Sequence, residues 1–229
     1  MAARISHLPP DALAFLRALK RNNRREWFKP RKDRYEAVVR APMMAIVERL
    51  AGDFRTFAPE FVASPKTSVY RIYRDTRFSE NKTPYKTHAS AIFPTRGLLK
   101  HQGAGLYFHV SPTEVWVGGG MYAPDAPQLH AVREHISGSL ARLRRIVEAP
   151  AFKREAGVLE GERLQRIPRG FSNDDPAADY LRYRQFIVGH EFAPEFATKP
   201  AFYPAILKVF RRLAPFCRFL NEPLRPSKG

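Results

Sequence analysis

The sequence predicts an α+β fold with a mostly antiparallel central sheet of about five strands, flanked by N- and C-terminal helices. Apolar residues recur with a helical period in the first part of the chain and again near its end, whereas the middle alternates with a period of two. Helices that precede and follow a block of strands are typical of α+β folds rather than of doubly wound parallel sheets. Two of the strands are joined by the short link Ser111–Glu114, which favours an antiparallel hairpin.

The first part of the chain is predicted to be helical. Asp11 follows two prolines and precedes an apolar stripe, which predicts a first helix that ends near Asn22. A second helical stretch starts around Trp27, and its apolar stripe is interrupted at Pro42. Because proline lacks the N–H group that a helix interior requires, we predict either a kink or a new helix at Pro42.

The strands are predicted from alternation and from short runs of β-branched and aromatic residues between turn residues. The five segments are Val69–Arg74, Ala89–Phe93, Gly105–Val110, Val115–Met121 and Gln185–Gly189.

The later part of the chain returns to a helical period. Apolar residues on one face predict a long helix from about Pro127 to Glu148, and a short helix is expected around 177–183. A C-terminal helix is predicted at about 201–220, followed by a basic, proline-rich tail that should fray. No repeat or linker divides the sequence, so we predict a single domain, 1–229, with an ordered core of about 11–220.

Composition limits the classes of protein and partner. The chain has 39 Lys and Arg against 22 Asp and Glu, a net charge of +17, which attracts polyanions, phosphorylated metabolites or an anionic membrane surface. A hydrophobic fraction of 44% excludes a disordered chain. Cys217 is the one cysteine, so an internal disulfide and a cysteine-based zinc site are excluded.

Targeting and cofactor signals are not found in the sequence. The segment Met1–Pro10 lacks the apolar core of a signal peptide, and no stretch approaches the roughly 18 apolar residues of a membrane span. We therefore expect a cytoplasmic protein with no membrane partner. His130 and His135 are five residues apart and cannot clamp a metal as an i, i+4 pair would, so no metal is expected. The glycine-rich segments lack the spacing of phosphate or dinucleotide loops, so no cofactor is expected.

The segment Arg71–Lys86 is the densest group of side chains that could carry chemistry. Strand alternation would place Arg71, Tyr73 and Asp75 on one face. Guanidinium groups donate in pairs to phosphate or carboxylate, and lysine adds a compact charge. Asp75 and Tyr85 would orient a ligand or transfer protons. The predicted ligand-binding residues are Arg71, Arg74, Arg77, Lys82, Lys86, Gly119, Gly120 and Tyr122.

These features also have structural interpretations. An Arg74–Asp75 ion pair could simply fix a loop, the glycines at 118–120 could form a bulge, and His88 could be an ordinary polar residue rather than a proton-transfer group. Arg17–Arg40 holds ten basic residues interleaved with aromatic ones, a pattern that fits core packing or a nucleic-acid surface.

Two functions therefore remain open. The first is a pocket for a phosphorylated or carboxylated small molecule, which an enzyme could use. The second is a nucleic-acid-binding module with little sequence specificity. The mixture of arginines with Asp75, tyrosines and turn residues favours the pocket, since a general electrostatic surface does not require that mixture.

The segment Arg74–Lys86 fits the pattern Arg-Asp-x-Arg-Phe-Ser-x-x-Lys-x-Pro-Tyr-Lys. It resembles the signature of an uncharacterised bacterial and fungal family, the domain of unknown function 2461 family. Asn81 stands where that pattern leads us to expect an acidic residue. The resemblance covers about Leu13 to Phe219 and implies no particular activity. Other segments that match the family in type and order are Asn22–Phe28, Gly118–Tyr122 and Ile167–Phe171.

Overall fold

A computed structural model of the chain describes residues 5–98 and 102–225. Within these ranges the fold is α+β and its five strands form an antiparallel sheet, which confirms the predicted fold class. The strands are β1 Ala89–Phe93, β2 Gly105–Val110, β3 Val115–Met121, β4 Leu159–Glu160 and β5 Phe186–Phe192. Their order across the sheet is β1-β2-β3-β5-β4.

Helices precede, interrupt and follow the strands. No helix in the two described ranges is both long enough and apolar enough to cross a membrane. The α-helices are α1 Pro10–Arg21, α2 Arg25–Phe28, α3 Lys32–Tyr35, α4 Ala41–Phe57, α5 Pro65–Ser68, α6 Ala126–Gly138, α7 Leu140–Val147, α8 Pro150–Ala156, α9 Ala178–Leu181 and α10 Phe202–Asn221. Short 3₁₀ segments are Lys29–Arg31, Pro194–Thr198 and Glu222–Leu224, and a π-helical turn is Glu36–Arg40.

The sequence predicts a kink or a new helix at Pro42, and the structure has a change of helix type there. The π-helical turn Glu36–Arg40 passes directly into α4, and Pro42 lies within the first two positions of α4. Arg40 has φ −71° and ψ −47°, so the backbone stays helical across the junction, and the π-helical turn accommodates the proline. The C-terminal helix is also confirmed, and residues 226–229 of the tail that was predicted to fray lie outside the described ranges.

The prediction of a strand at Val69–Arg74 is wrong. This segment makes only isolated antiparallel bridges, of which one joins Tyr73 to Tyr85. The chain turns back on itself, so that Arg74 N donates to Pro84 O at 2.9 Å and Lys86 N donates to Ile72 O at 2.7 Å. The fifth strand of the sheet is instead β4, which pairs antiparallel with β5. Two residues are too short to show a period in the sequence.

The predicted single helix over Pro127–Glu148 is also wrong, because the chain forms α6 and α7 with a break at Ser139. Ser139 has φ −136° and ψ 27°, which is not helical, and it follows Gly138. Glycine and serine are both weak helix formers in a helix interior. The start of α6 is fixed by a capping box, in which Asp125 and Gln128 each accept a hydrogen bond from the other's backbone N–H.

The chain divides into two compact units. The first unit consists of Met1–Ile92, Tyr107–Val117 and Glu191–Leu207. The second unit consists of Phe93–Leu106, Gly118–His190 and Lys208–Gly229. The predicted organisation as a single domain stays a prediction.

The first unit contains an aromatic core that joins its short helices to the segment after α5. The Phe28 ring lies 4.2 Å from the Tyr85 ring and 5.6 Å from the Tyr35 ring, between centroids. Phe15 of α1 packs on the same group, 5.8 Å from Tyr35. All four side chains are buried, and burying each one contributes about 2–3 kcal/mol to stability.

In the second unit, the end of α10 is held by Asn221, which is fully buried. Its Oδ1 accepts a hydrogen bond from Ala104 N at 2.6 Å, and its Nδ2 donates to Ala104 O and to Thr95 Oγ1, each at 2.8 Å. One side-chain amide thus pairs both polar groups of a buried residue on the approach to β2, so no buried backbone group is left unpaired there.

Two glycines of β3 lie against neighbouring strands of the second unit. A Cβ atom added to Gly119 would lie 2.6 Å from Gly105 O, and one added to Gly120 would lie 1.9 Å from Phe186 O. Gly120 also has φ +125°, which favours glycine. Strand packing alone therefore requires glycine at Gly120.

Substitution of Gly120 by alanine is expected to destabilise the protein strongly, by more than about 3 kcal/mol, because the backbone of β5 would have to move. The matched control is Gly138→Ala, since nothing lies within 4 Å of a Cβ atom built there. That control should stay within about 0.5 kcal/mol of the wild type. Urea unfolding of both variants measures the difference, and equal stabilities would contradict the packing argument.

Candidate functional site

Asn23, in the link between α1 and α2, binds the backbone of a residue far along the chain. Its Oδ1 accepts a hydrogen bond from Tyr85 N at 3.1 Å, and its Nδ2 donates to Tyr85 O at 2.8 Å. Both polar backbone groups of Tyr85 are therefore paired by one side-chain amide, as a neighbouring strand would pair them. We call this pairing the Asn23–Tyr85 clamp. It joins the link after α1 to the later part of Arg71–Lys86, which runs back alongside residues 72–74.

The ring of Tyr85 is only 4% exposed and packs between two other rings. Its centroid lies 4.2 Å from that of Phe28 and 5.6 Å from that of Tyr73. Burial raises the pKa of Tyr85 above its ordinary value. The hydroxyl group is therefore protonated at neutral pH, where it can donate a hydrogen bond but cannot act as a base.

A recess of about 830 Å³ lies beside the clamp, within the size range of small-molecule sites. We call it the first recess. No Asp or Glu is found among its lining residues. Its basic residues are Arg24, Arg25, Lys29, Lys32, Arg74 and Lys82. The other lining residues are Asn23, Phe28, Tyr73, Thr76, Thr83, Pro84 and Tyr85.

The charges of the first recess are not neutralised by carboxylates. Arg74 donates to the hydroxyl groups of Thr83 at 2.7 Å and Ser79 at 3.3 Å, and Lys82 Nζ donates to the Thr76 carbonyl at 3.0 Å. Within the described ranges, none of the six basic side chains has an ion pair with Asp or Glu. Their like charges repel one another, and an anion placed among them would relieve that repulsion.

Asp75 is bound by Arg77 rather than by Arg74. Arg77 Nε donates to Oδ1 at 3.0 Å and Nη2 to Oδ2 at 2.7 Å, and these bonds lower the pKa of Asp75 to about 2. The Arg74–Asp75 ion pair considered from the sequence is therefore not formed. Both partners of the actual pair are exposed, by 77% for the Arg77 side chain and 47% for that of Asp75, so solvent screens their attraction.

A second recess of about 590 Å³ contains polar groups of several kinds. It shares four lining residues with the first recess: Asn23, Arg74, Thr83 and Tyr85. The residues that line only the second recess are Lys20, Asp75, Asn81, Lys86, Thr87 and His88. Because the two recesses have four residues in common, they are adjacent.

His88 is half-buried and neutral at physiological pH. Burial lowers the pKa of His88 to about 4, and the neighbouring His109 and Lys86 act in the same direction. The His88 and His109 ring centroids are 5.6 Å apart, and His109 Nε2 lies 3.0 Å from Glu114 Oε1. His88 thus lies between the second recess and a histidine–glutamate pair at the β2–β3 hairpin.

The structure brings part of the predicted site together. Arg74 and Tyr85 line both recesses, Lys82 lines the first, and Asp75 and Lys86 line the second. Arg77 does not line either recess, but it binds Asp75. Arg71 is exposed and lines neither recess, although its charge helps to lower the pKa of Asp75, and its role as a ligand residue stays a prediction.

The remaining predicted ligand residues lie in the second unit. Gly119 and Gly120 are packed against strand backbones there, and Tyr122 is 76% exposed. A ligand-binding role for these three residues stays a prediction. Within the described ranges, no group of three or more His, Cys, Asp and Glu side chains could hold a metal ion.

Sequence reasoning did not assign the basic residues of the helical link to the site. Arg24, Arg25, Lys29 and Lys32 line the first recess. Their sequence pattern fits core packing or a nucleic-acid surface and does not indicate a pocket. The available signal was the matching segment Asn22–Phe28, which contains the clamp residue and the first two of these arginines.

The family model described as a conserved hypothetical protein, DUF2461, matches residues 11–219. The chain belongs to this family. Comparison with curated proteins and with solved structures gave no match. The DUF2461 match contains both sides of the first recess, 24–32 and 73–85, and all residues of the second. Membership confirms the resemblance seen in the sequence and assigns no activity to the recesses.

The low pKa of His88 predicts a pH dependence of stability. Between pH 6.5 and about 4, unfolded His88 binds a proton that the folded protein does not bind, so stability should fall as the pH decreases through this window. Because the ring is only half-buried, the expected loss is about 2 kcal/mol, less than the whole pKa shift implies. The variant His88→Gln should lack this part of the loss.

Urea unfolding at pH 7 and at pH 4.5 measures the effect, as the difference between wild type and variant. His135, whose pKa burial also lowers, is present in both proteins and cancels from the comparison. An equal loss of stability on acidification in the two proteins would show that His88 is not the group responsible.

Proposed function

We propose that the first recess binds a phosphorylated or carboxylated small molecule. The observation that carries this proposal is the presence of six basic side chains and no acidic one around a single recess of about 830 Å³. Structural ion pairs do not account for these charges, because no carboxylate pairs with them in the described ranges. Electrostatics therefore favours the binding of an anion in this recess.

A phosphate group suits this arrangement better than a single carboxylate. Basic residues of the helical link line the first recess together with Arg74 and Lys82. A phosphate dianion can accept hydrogen bonds from several donors at once, including a bidentate pair from a guanidinium group. The hydroxyl group of Thr76 adds a neutral donor to the lining, whereas that of Thr83 donates to Asn81 Oδ1 at 2.8 Å. The aromatic rings of Phe28, Tyr73 and Tyr85 add apolar surface to the lining beside these charged groups.

Catalysis at this site would depend on residues of the second recess. Asp75 is ionised, His88 is neutral, and Tyr85 is protonated at neutral pH. These states provide one proton donor, Tyr85, and two acceptors in the adjacent recess, Asp75 and His88, whose lowered pKa values make them weak bases. Binding in the first recess does not require a reaction, so the proposal is of a ligand site that an enzyme could use. The cytoplasm, predicted from the sequence, is where phosphorylated metabolites would be met.

Nucleic-acid binding is the competing function, and the exposure of the basic residues favours it. Arg24, Arg25, Lys29 and Lys32 are all exposed, and the chain carries a net charge of +17. A surface that binds phosphate backbones through such charges loses affinity steeply as salt increases, with little dependence on the sequence of the nucleic acid. A site for one small anion should instead saturate at one ligand per chain.

The test removes two charges from the first recess and two from elsewhere. The double variant Lys29→Ala/Lys32→Ala should keep its stability within about 0.5 kcal/mol, because both side chains are exposed. Its affinity for pyrophosphate should fall about tenfold or more, since donors to a charged ligand are lost. The control Lys66→Ala/Lys153→Ala removes the same charge from exposed positions outside the recess and should bind as the wild type does.

Isothermal titration calorimetry measures stoichiometry and affinity for the three proteins. Equal weakening in the control would show that pyrophosphate responds to net charge and not to the recess. Binding of single-stranded oligonucleotides that is tighter than pyrophosphate binding, and that falls steeply with salt, would favour the nucleic-acid function.

A further inference from the structure

The second recess differs in chemistry from the first. Three basic residues line it, and they share it with a carboxylate, two side-chain amides, two threonine hydroxyl groups and a neutral imidazole. The positive charge of this recess is smaller than that of the first, because Asp75 offsets part of it and the other polar groups are neutral. This mixture suits uncharged groups that both donate and accept hydrogen bonds. Hydroxyl groups are the simplest groups with that property.

His88 supports this interpretation because its ring nitrogens are uncommitted. Its ring contacts His109, but neither of its nitrogens has a hydrogen-bond partner among residues 5–98 and 102–225. A neutral imidazole offers one donor and one acceptor, and a hydroxyl group satisfies either of them. A ligand in the recess can therefore form hydrogen bonds with the nitrogens of this half-buried imidazole.

Asp75 can act together with His88. A carboxylate has about four acceptor positions, and Arg77 donates to three of them, through its backbone N–H at 3.3 Å as well as through Nε and Nη2, which leaves one position on Oδ2. Arg77 keeps the carboxylate ionised and fixes its orientation, since it donates through two nitrogens. Asp75 and His88 thus supply two acceptors of different strength at one recess, as the recognition of adjacent hydroxyl groups requires.

The two recesses are adjacent, because four lining residues are common to both. We infer that the second recess holds the hydroxylated part of the ligand whose phosphate lies in the first recess, so that the ligand is a phosphorylated sugar or polyol. This inference rests on the proposed function of the first recess. Arg74, which lines both recesses, would lie between the phosphate and the hydroxylated part.

Three phosphates of matched charge separate the roles of the recesses. Glucose 6-phosphate carries hydroxyl groups, hexyl phosphate carries an alkyl chain in their place, and inorganic phosphate has neither. The wild type should bind glucose 6-phosphate about tenfold or more tightly than hexyl phosphate. His88→Phe keeps a ring but removes its hydrogen bonds, and Thr87→Val keeps the shape but removes the hydroxyl group. Each should weaken glucose 6-phosphate about fivefold and leave hexyl phosphate within about twofold.

The charge variant Lys29→Ala/Lys32→Ala is the matched control, since it should weaken glucose 6-phosphate and hexyl phosphate by the same factor. If His88→Phe does not fold, Thr87→Val supplies the comparison. Equal or tighter binding of hexyl phosphate by the wild type would overturn the inference and leave the phosphate site standing. If His88→Phe and Thr87→Val weaken glucose 6-phosphate and hexyl phosphate equally, the inference is likewise overturned and the phosphate site is retained. Failure of all three phosphates to bind the wild type would overturn the proposed function and the inference with it.

Discussion

The candidate site depends on the pairing of the Asn23 side chain with the Tyr85 backbone. Two hydrogen bonds, at 2.8 and 3.1 Å, join residues that are 62 positions apart. Their net contribution is modest, on the order of 1 kcal/mol each, but the packing of Phe28 on the Tyr85 ring acts at the same point. The clamp therefore sets the position of the helical link relative to the returning chain. The clamp and the packing of Phe28 on Tyr85 together hold the two basic segments near each other.

The clamp brings together charges that repel. Four basic residues of the link and two of the segment Arg71–Lys86 line the same recess without a carboxylate among them. Proteins retain such arrangements where a bound group supplies the opposite charge, because the repulsion lowers the stability of the empty site. The polar second recess adds hydrogen-bonding groups beside the positive charge of the first recess. Asp75, held by Arg77, and the neutral His88 provide acceptors that a free anion would not use.

Periodicity in the sequence predicted the fold class, an interruption of the helix at Pro42 and four of the five strands, since each depends on local pattern. It did not predict β4, which has two residues and is recognisable only by its pairing with β5. The break at Ser139 was missed because the apolar stripe continues through it. In the site, motif density identified Arg74, Lys82 and Tyr85 correctly as neighbours. The link side of the recess was missed because a side-chain clamp between distant residues has no sequence period.

If the two basic segments form one anion site beside the clamp, a phosphate-like anion bound there must contact both of them. The most direct measurement is a crystal structure of the protein soaked in tungstate, whose anomalous scattering locates a phosphate-like dianion. We predict a peak in the first recess in contact with Arg74 or Lys82 on one side and with the basic residues 24–32 on the other. Tungstate that contacts only residues 24–32, or only Arg74 and Lys82, would contradict a single anion site formed by both segments. Tungstate that binds only at arginines of the second unit, such as Arg145, would contradict it as well.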